Sequence, residues 1–192
     1  MNRVVHYLPC SIICHGECEF ILIQQIQSKK RRFLNPLAED KGRQSILINT
    51  LNFYLNKLFP TKSTYIKKYK DLLAVDKDKK LINHKIFAIM DKDNVSDEVM
   101  KEYIDKSLFK DYWWGQDELI VPIYFMQDMD TVLTRHGINI DRSKSKPVQY
   151  FKYLTTQYDK IIEMLRSLNE SESNIKILFD YLDKIKNNNY TK

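Results

Sequence analysis

Apolar and polar positions change rhythm several times along the chain, and each change predicts an element. Val4–Leu8 and then Ser11-Ile12-Ile13-Cys14 are β-branched and apolar, and Gly16 closes the run. Pro9 interrupts it, so either Val4–Leu8 is a separate edge piece or Pro9 opens the strand. From Glu17 the spacing becomes helical: Cys18, Leu22 and Ile26 fall four apart with Ile23 beside them. Lys29-Lys30-Arg31-Arg32 ends this helix, with cations at the negative end of its dipole. Arg32–Leu37 reads as a second strand, cut off by Asp40-Lys41-Gly42. Ile48, Leu51, Leu55 and Leu58 mark one buried helix face, stopped by Pro60. Thr61–Lys80 is lysine-rich and weakly periodic, and reads as a partly mobile insertion.

The clearest strand is Lys85–Met90, apolar through its centre as in a parallel strand buried on both faces, and it runs into Asp91-Lys92-Asp93-Asn94. A helix follows from Ser96 with Val99, Tyr103 and Leu108 inward, then a strand over Leu119–Phe125. This alternation predicts an α/β fold, a central and mainly parallel sheet flanked by helices. After Pro147 the pattern is helical only: Phe151, Leu154, Tyr158, Ile161, Leu165 and Leu168, then Ile175, Leu178, Leu182 and Ile185. A helical hairpin is expected there, packed on the sheet or on a partner. Residues 1–140 are thus expected to form the main domain and 141–192 a C-terminal helical extension with a frayed end.

Composition narrows the class. The 192 residues suit one domain with a small appendage, with 43% hydrophobic and 29% charged residues, as in ordinary globular proteins. Cys10, Cys14 and Cys18 are odd in number and spaced by four, which is no zinc-knuckle pattern, so they read as free thiols in a reducing cytosol. No apolar run approaches the roughly 20 residues of a membrane span, and the N-terminus lacks a signal-peptide pattern. A cytoplasmic protein is expected. The four glycines form neither a dinucleotide-binding fingerprint nor a P-loop, so nucleotide hydrolysis by this chain alone is not expected.

Charge is unevenly placed. Ser28–Lys80 holds 14 Lys/Arg against 5 Asp/Glu, whereas Asp91–Asp130 holds 4 against 11. A basic stretch attracts a polyanion, and an acidic one holds a divalent cation; the plainer alternative is two solvated faces. The acidic candidates stand at strand ends, where ligands gather in open α/β sheets. Glu17 follows Gly16 after the first strand, and Asp91 and Asp93 end the long buried one. Asp91 and Asp93 point to one side with Lys92 opposite. If those strands are neighbours, the carboxylates converge, and a divalent cation relieves their repulsion.

The order strand, Gly16-Glu17, helix, strand, Gly42, helix, strand, Asp91-x-Asp93, helix, strand resembles the Toprim (topoisomerase–primase) domain over roughly residues 10 to 130. The string His15-Gly16-Glu17-Cys18-Glu19 is similar to the "EGExE" opening of the OLD-like, RloB-like and AriB-like Toprim nucleases. The resemblance implies a catalytic role for Glu17 as general acid or base and metal ligand, with Asp91 and Asp93 holding Mg²⁺ or Mn²⁺. Asp130 fits the place of a further acidic ligand, with Asp128 as its competitor; either is also a favourable helix N-terminal residue. His15 departs from the pattern, standing where these nucleases often carry an acid, which weakens any second metal site.

The activity implied is metal-dependent hydrolysis of RNA, including tRNA, or of DNA, by an anti-phage or abortive-infection effector working beside a separate ATPase sensor. Self-association into a homo-oligomer is also open. Lys29, Lys30, Arg31 and Arg32, with Lys41 and Arg43, are the candidate nucleic-acid contacts. The alternative is a non-catalytic Toprim-like interaction protein that binds a partner ATPase or nucleic acid. His84 and His136 are expected in packing or surface roles, and Trp113-Trp114 as a loop anchor rather than a base-stacking platform.

Overall fold

A computed structural model describes residues 8–30, 33–93, 95–138 and 154–186. Four strands form one sheet, parallel throughout: β1 (Cys10–Cys14), β2 (Asn35–Leu37), β3 (Lys85–Asp91) and β4 (Ile120–Phe125), in spatial order β2-β1-β3-β4. The α/β class read from the sequence is observed, in an arrangement consistent with a Toprim-like fold. β1 and β3 are central and in register from Cys10 opposite Lys85 to Cys14 opposite Ile89. Both are buried on two faces, which explains their unbroken apolar runs. The second strand is shorter than expected, beginning at Asn35 rather than Arg32, and residues 31 and 32 lie outside the described residues, as does most of the Val4–Leu8 piece.

Alternation along the strands divides the core in two. Cys10, Ile12, Cys14, Phe87, Ile89, Ile123 and Phe125 face one side. There they meet α1 (Glu17–Lys30), α5 (Met129–Arg135), α6 (Tyr158–Ser167) and α7 (Lys176–Lys186). Ile13, Ile86, Ala88, Met90 and Ile120 face the other side, toward α2 (Leu51–Leu58), α3 (Lys62–Lys68) and α4 (Asp97–Ile104). The helix after β1 therefore leaves toward the first face and the helix after β3 toward the second. The chain divides at the carboxyl ends of the two central strands, where an α/β sheet opens a crevice. Side-chain oxygens start the short helices: Thr61 caps α3, Ser96 caps α4 and Asp128 caps α5, each cap being worth about 1 kcal/mol.

One segment is more integral than its sequence pattern indicates. The lysine-rich Thr61–Lys80 buries Tyr65 completely. The Tyr65 hydroxyl lies 2.5 Å from Ser11 Oγ and 2.8 Å from His84 Nε2, while His84 Nδ1 lies 2.9 Å from the Leu8 carbonyl. Asn35 joins this network by donating to Ser11 Oγ and to the Tyr69 hydroxyl. His84 is thus a packed structural histidine, and His136 pairs with Glu172 at the surface. Trp114 is buried and donates to Asn52, and Trp113 donates to the Phe59 carbonyl, so the tryptophan pair anchors a loop.

The C-terminal helices α6 and α7 lie on the sheet. Ile161, Leu165, Leu178, Phe179 and Leu182 are fully buried in the same core as β1 and β3. Asp183 ties the far end of α1 to both helices, accepting from Lys30 at 3.1 Å and from Arg166 at 2.7 Å. The segment before α7 closes the free side of β4: Asn174 accepts from the Tyr124 amide and donates to the Pro122 carbonyl, and Ser173 donates to the Tyr124 carbonyl. Among the described residues no helix is long and apolar enough to cross a membrane. Ile161→Ala and Leu178→Ala are each expected to lower unfolding stability by about 2–5 kcal/mol, within a single urea transition. Two separated transitions would put α6 and α7 in an independent unit.

Candidate metal centre

The crevice is furnished from three strand ends. His15 is the first residue after β1, held by two backbone bonds: its amide donates to the Ile89 carbonyl at 2.9 Å and its carbonyl accepts from Ile46 at 2.8 Å. Asp91 is the last residue of β3 and Asp93 follows in the loop. His15 Nε2 lies 3.9 Å from Asp91 Oδ2 and 3.6 Å from Asp93 Oδ2. One ligand atom from each of the three residues falls within 4.8 Å of the others, so the trio could hold one metal ion. His15 and Asp91 are 6% and 4% exposed, whereas the Asp93 side chain is 46% exposed and forms the open side.

Glu19, in the first turn of α1, is the fourth member. It is buried, and its Oε2 accepts from the Gly16 amide at 2.9 Å, satisfying a donor that the helix start leaves without an intrahelical partner. Asp128 and Asp130, at the start of α5, complete the ring of charge. Burial, then the charges of Glu19, Asp93, Asp128 and Asp130, push the Asp91 carboxyl far above its ordinary value. Burial also raises Glu19, with Asp130 and Asp128 adding to it against the opposing backbone hydrogen bonds. Burial lowers His15, only partly offset by Asp93, which favours the neutral imidazole.

Among the described residues the buried Asp91 Oδ1 and His15 Nδ1 find no hydrogen-bond partner. Leaving such groups unmet costs about 1–3 kcal/mol each. Among the described residues no Lys or Arg pairs with Asp91, Asp93 or Glu19. Converging acids, an adjacent imidazole and orphaned buried atoms are what a divalent cation would compensate, and the donor set fits one.

The residues singled out from sequence divide into two groups. Asp91 and Asp93 come together as expected. Glu17 is half-buried at the start of α1, and its carboxylate makes no hydrogen bond or ion pair with a described residue. His15, read as a departure that weakens the site, contributes a donor to it. Glu19 was legible only as the last letter of a short motif; its position three residues after Gly16, where a glutamate can reach back to the helix start, was the available signal. Asp128 takes the helix-capping role through the Thr131 amide, while Asp130 sits in the first turn, both close enough to influence Asp91 and Glu19.

The basic residues are spread out. Lys41 and Arg43 are exposed on the loop that covers the start of α1. Gly42 between them has φ 91°, and a Cβ there would lie 2.5 Å from Glu17 Cα. Lys29 and Lys30 lie at the opposite end of α1, Lys30 paired with Asp183 and Lys29 over the Tyr158 ring at 5.9 Å. Arg31 and Arg32 lie outside the described residues.

The raised carboxyls keep protons in the folded chain that the unfolded chain loses near pH 4, so they make metal-free stability fall as pH rises above that value. Burial lowers His15 and takes His84 down to about 4, which has the opposite effect, but only below about pH 6.5. Between pH 7 and pH 8 the carboxyl effect remains. Metal-free wild type is therefore expected to melt lower at pH 8 than at pH 7. Asp91→Asn should flatten that slope, raise stability at pH 8 by on the order of 1–3 kcal/mol, and lose the thermal response to Mn²⁺. A destabilised Asn variant would contradict the electrostatic account. Gly42→Ala is expected to cost about 2–4 kcal/mol, from positive φ and the contact with Glu17 together, read by urea unfolding.

No protein-family model, curated protein or solved structure matches the chain.

Proposed function

We propose that this protein is a metal-dependent nuclease of the Toprim kind, hydrolysing phosphodiester bonds in RNA, tRNA included, or in DNA. The observation that carries the reading is the trio His15, Asp91 and Asp93 at the carboxyl ends of adjacent central strands, with buried donor atoms that find no partner among the described residues. Asp91, Asp93 and His15 would hold Mg²⁺ or Mn²⁺, with Asp130 and Glu17 as further oxygen donors. When bound, the ion supplies positive charge to a phosphoryl oxygen and acidity to a water molecule.

The chain's own residues do the rest. Glu19, whose raised affinity for protons suits transfer near neutral pH, would take or give the proton at its carboxylate, with Glu17 at the start of the same helix as its competitor. Lys41 and Arg43, exposed on the loop over the start of α1, would meet the backbone phosphates without reading sequence. The exposed side at Asp93 would admit an extended strand. An anti-phage or abortive-infection role in the cytoplasm, alongside a separate ATPase sensor, follows the resemblance of the His15–Glu19 and Asp91-x-Asp93 motifs.

Mn²⁺-dependent cleavage of labelled RNA and single-stranded DNA is the direct test. Asp91→Asn is expected to fall to background. Glu19→Gln, which keeps an acceptor for the Gly16 amide, should lose about 10²–10⁴-fold, and Glu17→Gln less. Lys41→Ala with Arg43→Ala should leave the metal response intact, weaken binding and reduce the salt slope by about 2. If Asp91→Asn cleaves as well as wild type, the nuclease reading is wrong. Nucleic-acid binding indifferent to Asp91 but dependent on Lys41 and Arg43, with no cleavage, would make the chain an interaction protein.

A further inference from the structure

We infer that the centre selects a transition-metal ion such as Mn²⁺ or Co²⁺ over Mg²⁺, with His15 Nε2 as a nitrogen ligand beside Asp91 and Asp93. The inference rests on reading the cluster as a metal centre and goes on to say which class of ion it takes.

Three observations support it. The first is placement: the imidazole is at the heart of the cluster, with Nε2 3.9 Å and 3.6 Å from one oxygen of each aspartate, on a side chain only 8% exposed. Those separations exceed hydrogen-bond length, and the other ring nitrogen has no partner among the described residues. A buried imidazole tied to neither neighbour has a free nitrogen to offer a cation.

The second is charge. Asp91 and Asp93 already bring two carboxylates, and Glu19, Asp128 and Asp130 stand close by. A third acid at position 15 would add repulsion to a crevice that already gathers five acidic side chains, Glu19, Asp91, Asp93, Asp128 and Asp130. A neutral donor keeps the ligand and omits the charge. Two carboxylates and one imidazole balance a divalent ion and leave coordination positions for water and a phosphate oxygen.

The third is ligand preference. Mg²⁺ holds oxygen ligands and retains its waters, so a nitrogen gains it little. Imidazole strengthens binding of first-row transition ions, in the order Mn²⁺ below Co²⁺. The substitution of nitrogen for oxygen at position 15 therefore biases the site in one direction.

The test is calorimetric titration of the full chain with MgCl₂, MnCl₂ and CoCl₂ at one pH and ionic strength, with pulsed electron paramagnetic resonance on the Mn²⁺ complex. Expected are affinities in the order Co²⁺, Mn²⁺, Mg²⁺, with Mn²⁺ at least about tenfold tighter than Mg²⁺, and a ¹⁴N coupling from a ligated imidazole. His15→Asp should lose the nitrogen coupling and bring Mn²⁺ and Mg²⁺ within about threefold of each other. Should that variant not fold, His15→Gln serves for the spectrum, and the wild-type spectrum decides alone. Equal Mg²⁺ and Mn²⁺ affinities without nitrogen coupling overturn the inference and leave a metal-dependent nuclease standing. Failure of all three ions to bind at millimolar concentration removes the metal centre itself, and the proposed function with it.

Discussion

Two parallel strands buried on both faces must end somewhere, and here β1 and β3 end side by side with their following helices sent to opposite faces. The polar residues needed to stop the strands and start the helices have no room to spread. His15, Glu19, Asp91 and Asp93 are pressed together because the sheet register holds Cys14 level with Ile89. Everything notable about the crevice follows from that register: the orphaned atoms, the burial and acidic neighbours that push the Asp91 carboxyl upward, and the burial that pushes the His15 imidazole downward.

A cluster that raises the energy of its own ionised state is a cost to the fold. The surrounding structure offsets it by burying large side chains on both sheet faces, among them Phe87, Phe125, Phe179, Tyr103 and Trp114. The helices α6 and α7 belong to that compensation, since they cover the same face that Asp91 borders and fasten α1 through Asp183. Burial and neighbouring acids make Asp91 a residue that the ordered core tolerates and does not benefit from.

Much of this was readable in the sequence because it depends on local pattern. The all-apolar run ending in Asp91-x-Asp93 announced both a doubly buried strand and two carboxylates on one side. The helical spacing from Tyr158 to Ile185 announced faces that needed covering. What escaped depends on tertiary contact. Glu19 is inward because α1 is covered by the sheet on one side and by C-terminal helices on another, so charged and apolar positions share its interior. Gly42 looked like simple punctuation, and the reason for it, backbone passing over Glu17, exists only once the second loop folds back on the first. Tyr65 sits in a lysine-rich stretch with little periodicity, and only its bonds to Ser11 and His84, from β1 and from just ahead of β3, reveal it as core.

The closure of β4 by Ser173 and Asn174 has a consequence for how copies of this chain can meet. An open strand edge is a template for another strand, and proteins guard against unwanted pairing there. On the β4 side, the backbone groups of Pro122 and Tyr124 are already engaged by side chains. On the β2 side the strand is three residues long, and Pro36 at its middle has no amide hydrogen to donate. Among the described residues, both edges of the sheet are thus poorly suited to extension. Among the described residues, the surfaces left open to another chain are those of helices and loops rather than the sheet edges.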